Sequence, residues 1–261
     1  MKNILLTLAL LAFFSSCKKK EKVDVETETK VVQEDLVVTK AIVGKPNDAL
    51  FYYNRGVSKR QLEDYKGAIA DYTKSIEINP NHWMSYLNRG VAKTYLKDHN
   101  GAISDYTKAI ELKPNGSLPY YNRGVSKTYL KDYNGAIEDH SKAIELKPKY
   151  DSAYVNRSVA KTYLKDHNGA MADNTKAIEI NPNYFLAYYN RGNAKYNSKD
   201  DLGAIADFTK AIELQPNNAI VYLRRGTSRY YLNDMNGACQ DARKAQKLGY
   251  DASQIIEVAC K

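Results

Sequence analysis

Apolar positions between residues 83 and 116 fall at helical spacing twice. Trp83 to about Leu96 carries Tyr86, Gly90 and the Leu96 region along one side. The stretch Lys97–Asp98–His99–Asn100 breaks that pattern and supplies turn and cap residues. From Gly101 to about Lys113 a second apolar face follows, built from Ala102, Ile103, Tyr106, Ala109, Ile110 and Leu112. Pro114 ends it, because the residue before a proline is pushed out of the helical region. The pattern predicts two helices joined by a short turn. Gly90 and Ala102 leave room for Tyr86 and Tyr106 where the helices cross.

The same pattern returns along the chain. Pro46, Pro80, Pro114, Pro148, Pro182 and Pro216 are spaced 34 residues apart. Gly56, Gly90, Gly124, Gly192 and Gly226 keep that step, with Ser158 in the missing place. Glycine inside a helix costs about 1 kcal/mol relative to alanine, so its recurrence implies close backbone approach. A second series, from Gly67 through Gly101 to Gly237, also steps by 34 and is followed each time by Ala. Six units result: 49–82, 83–116, 117–150, 151–184, 185–218 and 219–252. A fixed 34-residue period of helix–turn–helix units resembles the tetratricopeptide repeat. The resemblance implies an all-α fold, a right-handed α-solenoid of antiparallel helix pairs whose inner face is lined by the first helix of each unit. Solenoid ends need caps. Residues 253–261 read as a C-terminal capping helix, with Ile255, Ile256 and Val258 facing inward. Residues 37–48 are in register with the end of a second helix and read as part of an orphan cap from about Gln33 to Gly44.

One polar pairing recurs in every unit. Arg55, Arg89, Arg123, Arg157, Arg191 and Arg225 hold one slot of the first helix; Asp71, Asp105, Asp139, Asp173, Asp207 and Asp241 hold one slot of the second. Each Arg is expected to reach an Asp of its own unit or a neighbouring one, as a partly buried ion pair that is costly to break. Leu is commoner at the Arg slot in the family, so the chain departs from the pattern there.

The beginning of the chain reads as an address. Met1–Lys2–Asn3, an apolar run from Ile4 to Phe14, and Ser15–Ser16 before Cys17 have the layout of a secretory signal. The segment resembles a bacterial lipoprotein signal, which implies that residues 1–16 are removed and Cys17 is lipidated, holding the protein at a membrane, the outer membrane of the envelope. Residues 17–36 then act as a tether. Asp151–Ser152–Ala153 resembles a short O-glycosylation motif of some Bacteroidetes, consistent with that source.

Composition adds mostly exclusions. The net charge of +9 is thinly spread, without a basic arm for nucleic acid. Of four His, His99 and His167 occupy a slot held by Tyr65 and Tyr133, His140 occupies that of Tyr72 and Tyr106, and His82 lies in an inter-unit turn. None has metal-ligand spacing, so no metal, cofactor or catalytic role is expected. With Cys17 lipidated, Cys239 and Cys260 remain; they either form a disulfide, as export permits, or leave Cys239 as a buried thiol.

The family resemblance implies a non-catalytic scaffold with an unidentified protein or extended peptide as partner. The expected groove residues are Tyr53, Asn54, Leu87, Asn88, Tyr121, Asn122, Val155, Asn156, Tyr189, Asn190, Asn193, Tyr196 and Tyr230. Tyr and apolar groups supply contact area, and an Asn row can bond to peptide backbone. The family's carboxylate clamp needs Lys where this chain has Tyr, Leu and Val. Capture of glycan or peptidoglycan fragments on the Tyr-rich face is the alternative.

Overall fold

The computed structural model describes residues 48–261. Cys17, the signal, the tether and the orphan N-terminal cap lie outside the described residues. Within them the chain is all-α, with thirteen helices and no strand. In chain order these are α1 (Ala49–Gln61), α2 (Tyr65–Ile78), α3 (Trp83–Tyr95), α4 (His99–Leu112), α5 (Ser117–Tyr129), α6 (Tyr133–Leu146), α7 (Asp151–Tyr163), α8 (His167–Ile180), α9 (Phe185–Asn197), α10 (Asp201–Leu214), α11 (Ala219–Tyr231), α12 (Met235–Lys247) and α13 (Ser253–Ala259). Each helix packs on the next, so the chain forms a stack of hairpins. The first helices α1, α3, α5, α7, α9 and α11 also approach one another directly from unit to unit.

The turn inside each hairpin is built from two fixed elements. The residue after the first helix's C-cap is left-handed: Glu63, Lys97, Lys131, Lys165, Lys199 and Asn233 have φ of 60–66°. For a residue with a Cβ this costs about 1–2 kcal/mol, offset by the hydrogen bonds that close the helix end, such as Asp98 N–H to Lys93 O at 2.9 Å. The following Asp then caps the second helix; Asp98 Oδ1 accepts from Gly101 N–H at 2.9 Å. The Asp98 carboxylate lies over Gly101 so closely that a Cβ there would collide with it. The second glycine series is therefore a consequence of the cap. His99 and Asn100, expected in the turn, already belong to the first turn of α4, because the cap is Asp98.

The first glycine series makes room for large rings. A Cβ on Gly90 would stand 2.7 Å from the Tyr106 ring, and Gly56, Gly124 and Gly192 meet Tyr72, His140 and Phe208 in the same way. Where the helix-one residue is Ser158, the facing residue is the smaller Asn174, fully buried. In the last unit the facing position is Ala242. There the helices come together without a ring, and a Cβ on Gly226 would stand 3.1 Å from Asp241 Cβ and 3.3 Å from Ala238 O.

At the C-terminal end, Ile255 and Ile256 of α13 pack against the cluster of Ala242, Ala245 and Ala252. Val258, expected to face inward, is exposed, since one helical face of seven residues cannot bury all three. Cys239 and Cys260 are joined by a disulfide with a Cα–Cα distance of 5.0 Å. It fastens the end of α13 to α12, and closing a loop of this length is worth about 3 kcal/mol.

Gly90→Ala should lower stability by about 1–3 kcal/mol despite the gain in helix propensity. Urea unfolding reads this directly; a stabilised variant would mean that the Tyr106 ring has space to move.

Candidate functional site

One polar cluster joins the two helices of each hairpin and is repeated six times. Every Arg of the series reaches the Asp of its own unit with two parallel bonds, Nη2 to Oδ1 at 2.6–2.8 Å and Nε to Oδ2 at 2.8–3.0 Å. The carboxylates are buried. A second cation joins each of them on Oδ2 at 2.8–2.9 Å: Lys59, Lys93, Lys127, Lys161, Lys195 and, in the last unit, Arg229. The remaining Nη1 of Arg89, Arg123, Arg157, Arg191 and Arg225 donates to a hydroxyl on the second helix of the preceding unit, at 2.9–3.1 Å. Burial alone would raise the Asp71 carboxyl; the hydrogen bonds from Arg55 and Lys59 outweigh it and hold the group below its usual range. Each cluster carries two cations on one carboxylate. Six such clusters account for +6 of the chain's +9. Most of the excess charge is therefore spent inside the hairpins. The Lys partner was legible only as another residue with the 34-residue period.

The inner face differs from the sequence expectation in three ways. Leu87 and Val155 are buried and do not line it; Leu87 packs on Ala102, Tyr106 and Ala109 of its own hairpin, and Val155 on Ala177 and, in the next hairpin, Ala187. Tyr53, Tyr121 and Tyr189 stand in the same slot and pack against the second-helix ring of their own unit, with centroids 6.0, 5.7 and 6.2 Å from Tyr72, His140 and Phe208. The Asn row is divided. Asn88 and Asn156 donate to the hydroxyls of Tyr53 and Tyr121, at 3.4 and 2.9 Å, and to helix carbonyls one turn back. Asn54 is exposed and Asn122 and Asn190 are half-buried, and none of the three makes a side-chain hydrogen bond among the described residues. Asn193, Tyr196 and Tyr230 are half-buried on α9 and α11. Burial and the neighbouring Tyr231 push the Tyr196 hydroxyl up to about 12. In the last unit Arg224 replaces the Asn, and the buried Tyr189 hydroxyl finds no partner among the described residues.

Between α3 and α9 few charges remain open. Across α3, α5, α7 and α9, every charged residue except Asp151 belongs to an Arg–Asp–Lys cluster. Among the apolar residues expected on this face, Met84, Val91, Leu118, Val125, Val159 and Leu186 are not fully buried.

Family models described as tetratricopeptide repeat match residues 49–82, 85–115, 118–150, 151–184 and 185–218, more than half of the chain. The chain belongs to the tetratricopeptide repeat family. Its sequence matches no curated protein. Among solved tetratricopeptide folds it is similar to MamA (27% identity, TM-score 0.60, covering 66% of this chain and 93% of that one). It shares the fold of YrrB, a tetratricopeptide protein with an unusual peptide-binding site (22%, TM-score 0.61, covering 72% and 97%). The same holds for a tetratricopeptide repeat protein from Parabacteroides merdae (20%, TM-score 0.63, covering 90% and 96%).

The repeat grammar also explains the histidines. His99 stacks on Tyr129 at 4.6 Å, as Tyr65 does on Tyr95 and Tyr133 on Tyr163. His140 fills the Tyr72 and Tyr106 slot, fully buried, with neither ring nitrogen bonded among the described residues. Burial depresses it to about 4; Asp139 and Asp173 oppose the shift, Arg157 and Lys127 add to it. Ser152, in the short motif, is half-buried and donates to Asp151.

Two outcomes follow. Asp105→Ala should cost about 3–5 kcal/mol by stranding Arg89 and Lys93, and Arg89→Met in that background should recover part of the loss; a double-mutant cycle in urea checks the sign. Unfolded His140 takes up a proton below about 6.5, whereas the folded ring resists until about 4. Its contribution, about 3 kcal/mol, is therefore present above pH 6.5 and lost as pH falls towards 4. His140→Phe, the ring used at Phe208, should raise the unfolding midpoint more at pH 5 than at pH 7.5.

Proposed function

We propose that the protein is a non-catalytic scaffold that holds an uncharged, extended protein segment along the face made by its first helices, while a lipid on Cys17 keeps it at a bacterial envelope membrane. The observation that carries the binding half is the uncharged lining of α3 to α9 in a chain where a quarter of the residues are charged. Along α3 to α9 the clusters hold the cations against buried carboxylates, so a charged partner finds little to pair with there; Arg60 and Arg224, which belong to no cluster, lie on α1 and α11. Amide groups at Asn54, Asn122 and Asn190 are free to bond peptide backbone, and apolar groups between them supply contact area. Membership of a family that mostly binds proteins supports the reading by analogy. The envelope half is supported by the signal-like first 16 residues and the position of Cys17.

Asn122→Arg with Asn190→Arg tests the face, because Arg224 already occupies that slot in the last unit and shows that the fold accepts it. The double variant should keep its helical signal and melting temperature yet lose crosslinks to its partner in native membranes. The wild-type crosslinks should survive an increase in salt, since no ion pair forms. Crosslinks that persist in the variant would place the partner elsewhere. Cys17→Ala should move the protein from the membrane to the soluble fraction; continued membrane retention would remove the lipid anchor from the account.

A further inference from the structure

The first helices begin at Ala49, Trp83, Ser117, Asp151, Phe185 and Ala219, and α13 begins at Ser253, one more repeat along the chain. α13 is thus the start of a seventh first helix, cut to seven residues and laid on α12 where every earlier second helix receives the next hairpin. Ile255 takes the slot of Ser85, Pro119, Ala153, Ala187 and Val221, all buried. With Ile256 it packs on Ala242, Ala245 and Ala252, beside Tyr222 and Leu223.

The polar tie used at the earlier junctions is missing from this one. Between hairpins, an Arg Nη1 of the first helix donates to a hydroxyl of the preceding second helix. One repeat beyond Arg225 stands Ala259, and one repeat beyond the hydroxyl of Thr209 stands the exposed Arg243. Among the described residues α13 makes no side-chain hydrogen bond or ion pair to α11 or α12; Ser253 bonds only to Asp251 just before the helix. The junction carries the Cys239–Cys260 disulfide instead. Cys239 lies one helical turn before Arg243, and Cys260 directly follows Ala259, so the covalent bond stands beside the place where the other junctions make their hydrogen bond.

We infer that this disulfide is a redox-sensitive latch: α13 covers the C-terminal end of the stack while Cys239 and Cys260 are joined, and leaves it when they are reduced. Seven residues are too few for a helix to hold its shape alone. Two half-buried isoleucines make a small apolar contact beside those of the 13-residue first helices. The bond supplies the rest of the hold, by keeping together two positions 21 residues apart in sequence. Both cysteines are partly exposed, so a dithiol reductant can reach them. One of its thiolates attacks the sulfur of one cysteine and frees the other; its second thiolate then closes the reductant's own disulfide and frees the first. Two electrons pass to the cysteines, and each takes up a proton as its thiol. Release uncovers Tyr222, Leu223 and Ala245 at the end of the last hairpin. The latch concerns the end of the stack and does not rest on what the inner face binds.

Hydrogen exchange of the full-length Cys17→Ala chain, followed by mass spectrometry with and without a phosphine reductant, tests the latch; the substitution leaves only these two cysteines. A thiol assay on the air-oxidised protein should find no free thiol. Reduction should speed exchange at residues 255–260 on the order of a hundredfold and leave α5 and α6 unchanged. Adding Cys239→Ala and Cys260→Ala should give the fast rate with or without reductant. Unchanged exchange at 255–260 after complete reduction would show that packing alone holds α13 and would overturn the latch. So would two free thiols in the air-oxidised protein, or a cysteine-free variant that speeds up only when reductant is added. Exchange that rises evenly through all six hairpins would make the bond a general stabiliser, which also contradicts a latch.

Discussion

Two cations sharing one buried carboxylate recur in every hairpin, and the rest of the molecule is arranged around that constraint. The Asp in the second helix cannot be left alone, because an unpaired buried carboxylate costs several kcal/mol. Arg meets it with a two-pronged bond and the second cation, usually Lys, covers the remaining lone pairs. The third arm of the Arg then crosses to the preceding hairpin. One side chain thereby sets the angle within a unit and the register between units. Aliphatic packing alone would allow neighbouring hairpins to slide. The guanidinium also lies 5.2–5.8 Å from the centroid of an aromatic ring three residues earlier, as Arg89 does over Tyr86, which shields the cluster from water.

The crossing of each hairpin adds a steric rule to this electrostatic one. Glycine faces a ring in four units; Ser158 faces the smaller Asn174, and Gly226 faces Ala242 with no ring between the helices. The third and fourth units carry polar residues, His140 and Asn174, where the others bury Tyr, Phe or Ala. These two hairpins have the least apolar core at the crossing, and low local stability follows from that composition.

Much of the architecture was legible in the chain. A 34-residue spacing of Pro, Gly and Asp fixes two helices and a turn per unit, and the Arg–Asp pairing follows from two slots that never vary. The candidate face was less legible. Sequence spacing marks Tyr53, Tyr121 and Tyr189 as pointing away from their own helix axis, but it does not say that the next hairpin arrives to cover them. The same holds for Val155, which meets Ala187 of the next hairpin. The division of the Asn row depends on whether the preceding unit offers a tyrosine hydroxyl. Tyr53 and Tyr121 precede Asn88 and Asn156, whereas Leu87 and Val155 precede Asn122 and Asn190. That alternation is written in the sequence as a two-unit period, and it acquires meaning only once the hairpins are stacked. The rings at the turns were visible as a Tyr/His slot, but their stacking partners come from the adjacent unit.

Confining charge to buried clusters leaves the first helices α3 to α9 with few free charges, which is the basis of the proposed recognition by shape and amide bonding. The uncharged face follows from the clusters, so the clusters are the point at which the account is most exposed. Arginine Nε–H signals in nitrogen-15-resolved NMR test them most directly. Six guanidinium Nε–H groups should exchange slowly at neutral pH, and Asp105→Asn should release that of Arg89 while sparing distant units. Rapid exchange of all arginine Nε–H groups would show that the bidentate pairs are open to solvent, and the physical basis for the rigid stack and its uncharged face would be lost.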